Sequence, residues 1–197
     1  MRSRLILSLL VAAALPVSAQ QGPANEAQRR IMEAMMAAMQ PGPEHERLAR
    51  LAGSWDAEIT MWSGPGGPSQ TMKATTENRM ILGNRFLESR TTGGAPPMVI
   101  EALSIVGFDR RFDRYTTVGF DTWGTYYVTA AGTMQDDLVT MHGTDEDPIA
   151  GHTQEYDFHL RFVDDDTYVT GVTFTDSVHT KGKGPFKAVE IVHRRRK

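Results

Sequence analysis

The sequence predicts an all-β protein: a single antiparallel β-barrel of about eight to ten strands, preceded by one or two short N-terminal helices. Three observations predict it. From Trp55 to the C-terminus, apolar and polar residues alternate with period two, which turns one face of each strand to a core and the other to water. Turn-forming clusters interrupt the alternation at roughly eight- to twelve-residue spacing, and no helical crossover separates the strands, so a parallel α/β sheet is excluded. A meander with this many strands must remove its two edges, and closing into a barrel does so.

The composition fits one globular domain. Of 197 residues, 40% are apolar and 23% charged, enough to bury a core. Cysteine is absent, which excludes a disulfide framework, a thiolate metal site and a cysteine nucleophile. A formal charge of -3 offers no basic field, so no nucleic-acid partner is expected.

The chain opens with two arginines in residues 1–4, an apolar run from Leu5 to Leu15, and Pro16 followed by Val17-Ser18-Ala19. This is the three-part pattern of a secretory signal. The run is too short to span a bilayer, which takes about 20 residues, and no cysteine follows to carry a lipid anchor. Residues 1–19 are therefore expected to be a signal peptide cleaved after Ala19, with the mature protein periplasmic or secreted and without a transmembrane segment. Residues 20–42 read as an N-terminal helical segment and 43–197 as the barrel domain.

Within that segment Asn25 to Gln40 is rich in helix formers and stops at Pro41-Gly42. Ile31, Met32, Met35, Met36 and Met39 recur at three- and four-residue spacing and make one apolar stripe. The stripe reads as a face that packs on the domain body or frays; the alternative is an adaptable surface for a protein partner through residues 25–40. A second, shorter helix is expected over 43–52, with Pro43 in the first position, Glu44 and Glu46 at the positive end and Gly53 as its stop.

The strands follow. Trp55, Ala57, Ile59 and Met61 alternate with Asp56, Glu58 and Thr60; Ile100 to Phe108, Tyr156 to Phe162, Tyr168 to Phe174 and Val189 to His193 repeat the pattern. Turns are expected at 64–67, 83–84, 93–97, 109–111, 122–124, Gly132, 145–148, 164–166 and 181–185, with Gly83-Asn84 as a two-residue hairpin. Met61, Met72 and Met80 join Ala57, Ile59, Ala74 and Leu87 on the expected inner wall.

Candidate chemistry is sparse. No nucleophile elbow, phosphate loop or zincin helix occurs. Six histidines, at 45, 142, 152, 159, 179 and 193, are the acid–base and metal resource, and no two have the i, i+2 spacing that shares a strand face. His142 and His152 would face each other across a hairpin turning at 145–148, where Asp145, Glu146 and Asp147 suit a cation, yet such acidic loops are usually just solvated. No metal site and no cofactor are predicted. Asp121, with Trp123, Tyr126 and Tyr127 beside it, reads either as a carboxylate that orients a ligand at the barrel mouth or as a turn that caps its own amides.

Several of these segments carry a resemblance. Pro41-Gly42-Pro43-Glu44-His45, Gly53-Ser54-Trp55, residues 81–87 (ILGNRFL), residues 106–109 (VGFD) and residues 121–125 (DTWGT) form an ordered series over about 41–196. The series resembles an uncharacterised bacterial family of lipocalin-like, calycin-type proteins that open with P-G-P-E-H. The resemblance implies that Trp55 plugs the closed end of the barrel and that an arginine of the last strand packs over it. By parity Arg195 is that arginine, and a one-residue slip would choose Arg194 or Arg196. Two departures stand out: Gly83-Asn84 replaces two glycines, and His193 precedes the final arginines where a tyrosine is usual.

The functional expectation is an exported binder of a small apolar or amphipathic molecule, held by Met61, Met72, Met80, Asp121, Trp123, Tyr126, His142 and His179. One alternative is a heme-binding or enzymatic barrel that uses a strand histidine, His142 or His179, as in the ten-stranded barrels related to nitrobindin. The other is an interaction module acting through the methionine-rich helix.

Overall fold

Ten strands close into one antiparallel barrel, each paired with its neighbours in sequence and the last with the first. They are β1 (Gly53–Trp62), β2 (Ser69–Ile81), β3 (Phe86–Ala95), β4 (Met98–Asp109), β5 (Arg114–Asp121), β6 (Val128–Gln135), β7 (Leu138–Asp147), β8 (His152–Asp164), β9 (Thr167–Phe174) and β10 (Phe186–Arg195). The structure is a computed structural model that describes residues 23–149 and 151–197. The export signal read at 1–19 and its cleavage point lie outside the described residues. No helix among the described residues is long and apolar enough to cross a membrane.

Two units make up the chain, the second beginning at Ala38. Nearly all of α1 (Pro23–Ala38) belongs to the first. Glu26 sits in its first turn and pairs with Arg30 (2.7 Å), and Arg29 pairs with Glu33 (3.0 Å), the i, i+4 spacing that supports an exposed helix. Its methionine stripe is more than half exposed.

The second unit is the barrel with α2 (Pro43–Ala49) and α3 (Ser177–Thr180). Pro43 starts α2, and the His45 Nδ1 accepts the Gly42 amide at 3.0 Å. The α-helix ends at Ala49 because the next turn tightens to i→i−3 bonds, Leu51 N to Leu48 O (3.0 Å) and Ala52 N to Ala49 O (3.1 Å), and the carbonyls of 50–52 are then taken by barrel side chains. Arg195 donates to Arg50 O and Ala52 O (2.7 and 2.9 Å), while Trp55 Nε1 and Asn78 Nδ2 both donate to Leu51 O at 2.9 Å. Gly53 then opens β1 at φ +124°, a conformation that favours glycine, and a Cβ there would stand 3.0 Å from Arg195 Nη1.

The alternation sends Trp55, Ala57, Ile59 and Met61 inward, paired in β2 with Thr76, Ala74, Met72 and Gln70. Three expected turns are corrected. Gly132 is not a turn but lies inside β6, opposite Met141, where a Cβ would meet the Thr140 carbonyl at 1.9 Å; the turn falls at Asp136-Asp137, with Asp136 in the left-handed region. The β2–β3 connection has four residues, not two: Leu82, Gly83 and Asn84 all take positive φ, and Arg85 N closes the loop on Ile81 O at 3.1 Å. Asp145 to Asp147 are the end of β7, and the chain turns only after them, with Pro148, Ile149 and Gly151 in the turn.

The loops at 82–85, 110–113, 136–137 and 165–166 lie at the end that α2 covers; those at 63–68, 96–97, 122–127 and 175–185, with the β7–β8 turn, ring the other end, the mouth. Near the closed end Thr76 and Thr91, both buried, share a 2.8 Å hydroxyl–hydroxyl bond between β2 and β3. Thr76→Val or Thr91→Val alone is expected to cost about 1–2 kcal/mol, since the remaining hydroxyl is left unpaired. The double valine variant should cost less than the sum, and urea midpoints of the four proteins check this.

Candidate functional site

The barrel is plugged at one end. Trp55 is fully buried, its ring edge-on to Tyr168 (4.7 Å between centroids) and covered by the Arg195 guanidinium at 4.1 Å. Arg195 is fixed in turn by the carbonyls of Arg50, Ala52 and Asp165. Leu48, Leu51, Leu87, Val106, Tyr115 and Leu160 complete a closely packed floor, each no more than 4% exposed.

Above the floor the inner face changes character around the barrel. On β2 to β5 it is rich in small residues, Ala74, Gly93, Ala102, Ser104, Thr117 and Gly119, with Met72 and Ile100 among them. On β8 to β10, across the lumen, it carries Tyr156, Phe158, Val172, Phe174 and Ile191. The buried residues accordingly form two separate clusters, one on the floor and β6–β9, the other around Ala57, Ile59 and Ala74. Phe158, Val172, Phe174 and Ile191 point inward yet keep part of their surface accessible.

Met61 and Met72 line the second cluster near the mouth, and Met80 packs on the floor. Asp121 ends β5 at the rim and its Oδ1 accepts the Trp123 amide at 2.8 Å, the turn-capping role. Trp123 donates through Nε1 to Val99 O (3.1 Å) and stays half exposed; Tyr126 is more exposed still. With Tyr127 and with Phe120 at the end of β5 they make an aromatic rim at 120–127.

The histidines are redistributed. His142 is corrected: it lies on the outer face, exposed, opposite Asp157 and 3.2 Å from its carboxylate, so neither a lumenal ligand contact nor heme ligation from inside applies to it. It does not meet His152 either, because the hairpin turns beyond Asp147 and pairs His152 with that residue. His179 is not a strand residue but sits on α3, in the β9–β10 connection at the mouth.

There His179 joins two residues that the alternation did not single out. Asp176 caps α3, its Oδ1 accepting the amides of Val178 and His179 at 2.9 Å each, and its Oδ2 lies 2.8 Å from His179 Nδ1. Burial alone would raise the Asp176 pKa, but these bonds outweigh it and hold the carboxyl at about 2, an anion at any physiological pH. The His179 ring stacks on Phe174 at 3.9 Å and lies 5.3 Å from the ring of His152. His152, the first residue of β8, shares the inner face with Tyr156 and Leu160, and its Nε2 is buried with no hydrogen-bond partner among the described residues. The signal that could have found this cluster is Asp176 three residues before His179, the spacing of an N-cap and its first turn.

A second histidine passed over is His193. It is buried beneath the lumen, stacked on Tyr168 (4.0 Å, 3°), with Nε2 3.1 Å from Thr170 Oγ1. Burial lowers its pKa to about 3, so it is a neutral imidazole.

Comparison with known proteins gives a family. Residues 40–195 match a family described as "Protein of unknown function (DUF1579)". No curated protein matches. Among solved structures the chain is similar to a redesigned β-barrel, at 13% identity over 76% of this chain and 95% of that one, with a TM-score of 0.36.

Proposed function

The chain belongs to the DUF1579 family of proteins of unknown function, and we propose that it binds a small apolar or amphipathic molecule in the mouth half of its barrel. The observation that carries this reading is the asymmetry of the inner face. Small residues on β2–β5 stand across from aromatic and aliphatic ones on β8–β10, above a floor sealed by Trp55. A barrel of about eight strands is just wide enough to fill with side chains or to hold one small ligand; with ten strands and a face of β2–β5 rich in Ala, Gly, Ser and Thr, a guest between the two walls is the reading that these side-chain sizes support. Partly accessible Phe158, Val172 and Ile191 are surfaces that a guest would cover, and the aromatic rim at 120–127 offers amphipathic contacts at the entrance. An exported, lipocalin-like carrier or sensor is the role that joins this lumen to the signal-like N-terminus.

Titrating the purified chain with an apolar naphthalene-sulfonate probe tests the reading. Saturable 1:1 binding is expected, together with at least about tenfold weaker binding in Ala102→Trp, which fills the small wall, a loss of about 1.4 kcal/mol. An outward substitution, Thr92→Trp, is the control, and melting temperatures confirm that both variants fold. Absence of saturable binding in the parent chain, or equal loss in both variants, would overturn the proposal.

A further inference from the structure

We propose that His152, Asp176 and His179 form a binding site for a divalent transition metal of the zinc class at the barrel mouth. This goes beyond the small-molecule reading and does not depend on it. The three residues come from two elements, the start of β8 and the α3 turn, yet one ligand atom from each lies within 4.8 Å of the others. Two imidazoles and one carboxylate are a donor set that zinc and its neighbours take with three protein ligands, leaving a position open.

Local detail favours a site over a chance cluster. The His152 Nε2 is buried and unpartnered, an unfavourable state for a polar group with nothing to bond that a metal ion would relieve. Asp176 is itself buried, and four donors aim its carboxylate: the amides of Val178, His179 and, at 3.4 Å, Glu155, and the ring of His179. Phe174 holds the His179 ring flat against it, so the imidazole is oriented before any ion arrives. Without metal, His179 Nδ1–H donates to Asp176 Oδ2. With the ring proton carried on Nε2 instead, the Nδ1 lone pair and the Asp176 Oδ2 both turn to the ion, and His152 Nε2 supplies the third bond. Donors on one tetrahedral zinc stand roughly 3.3 Å apart, so His152 closes the set by moving toward the Asp176–His179 pair. The open position then faces the mouth, where water or an anionic head group completes the shell.

The test uses the full chain, stripped with chelator and titrated with Zn2+ alone by calorimetry, and with Co2+ by visible absorption. One equivalent of Zn2+ is expected, with a rise in melting temperature and Co2+ bands of the four- or five-coordinate type. His152→Gln removes a group that bonds nothing else and should fold normally; it and His179→Gln should each weaken binding at least about tenfold. His142→Gln, an exposed histidine on the outer face, should leave binding unchanged. No stoichiometric binding by the parent chain, or binding that survives His152→Gln and His179→Gln, would overturn the proposal.

Discussion

Trp55→Ala is expected to lower the unfolding free energy by about 3–5 kcal/mol, the range for removing a buried large aromatic ring, read as a lower guanidinium midpoint. The side chain has no exposed surface, and its loss opens a cavity under a floor whose other members are tied to fixed backbone. Three partners are stranded with it. Leu51 O loses one of its two donors, the Tyr168 ring loses its edge contact, and Arg195 loses the ring beneath its guanidinium. Arg195 stitches β10 to the end of α2 and to the β8–β9 turn through three carbonyls, so the plug also helps to close the barrel. Arg195→Lys keeps the charge but not the fork that reaches those carbonyls, and should also destabilise, by less. Trp55→Ala and Arg195→Ala together should cost less than the sum of the two. Trp123→Ala, which removes a half-exposed ring at the other end, should stay within about 0.5 kcal/mol of the parent. Equal effects at Trp55 and Trp123 would contradict the plug.

The same contrast explains what the sequence could and could not convey. Period-two alternation depends only on which face a residue takes, so the inner wall of Ala57, Ile59, Met61, Met72 and Ala74 is legible before any strand is paired. Arg195 follows from parity in the same way, once Trp55 fixes the inward phase of β1. What alternation does not carry is the phase at which a strand stops. Reading past Phe174 treats His179 as a strand residue, whereas Asp176 caps a helix of four residues that carries His179 onto the Phe174 ring. Placing the β7–β8 turn at 145–148 made His142 and His152 seem opposed; three further residues of strand separate them along the hairpin and onto opposite faces. Clusters formed by loop returns depend on where chains turn, and the turn residues here are common to many geometries. The charge state of His193 is hidden for another reason: its strand position is readable, but its neutrality comes from the depth of cover that Tyr168 and the plug supply.

That neutrality makes acid stability the second large effect. In the folded chain burial lowers the His193 pKa to about 3, whereas in the unfolded chain it titrates near 6.5. Between those values the unfolded state holds the extra proton, so stability rises with pH through this window. The contribution is fully present above pH 6.5 and is lost as pH falls toward 3, at about 1.4 kcal/mol per pH unit, or about 3 kcal/mol from pH 6.5 to pH 4. Burial lowers His45 and His159 as well, and both add to the same slope with the same sign. Asp109 and Asp176, held at about 2, act in the same direction but only below the ordinary carboxylate range, so measurements kept above pH 4 exclude most of their effect. Urea unfolding from pH 7.5 to 4 should therefore show a falling midpoint with a constant slope on denaturant. His193→Phe keeps a ring against Tyr168 and removes the titrating group, at the expense of the bond to Thr170 Oγ1. It should start less stable at pH 7 and lose less on acidification, so the two stability curves converge toward pH 4. Parallel curves would mean that water reaches His193 in the folded barrel and that the floor of the lumen lies deeper than Tyr168.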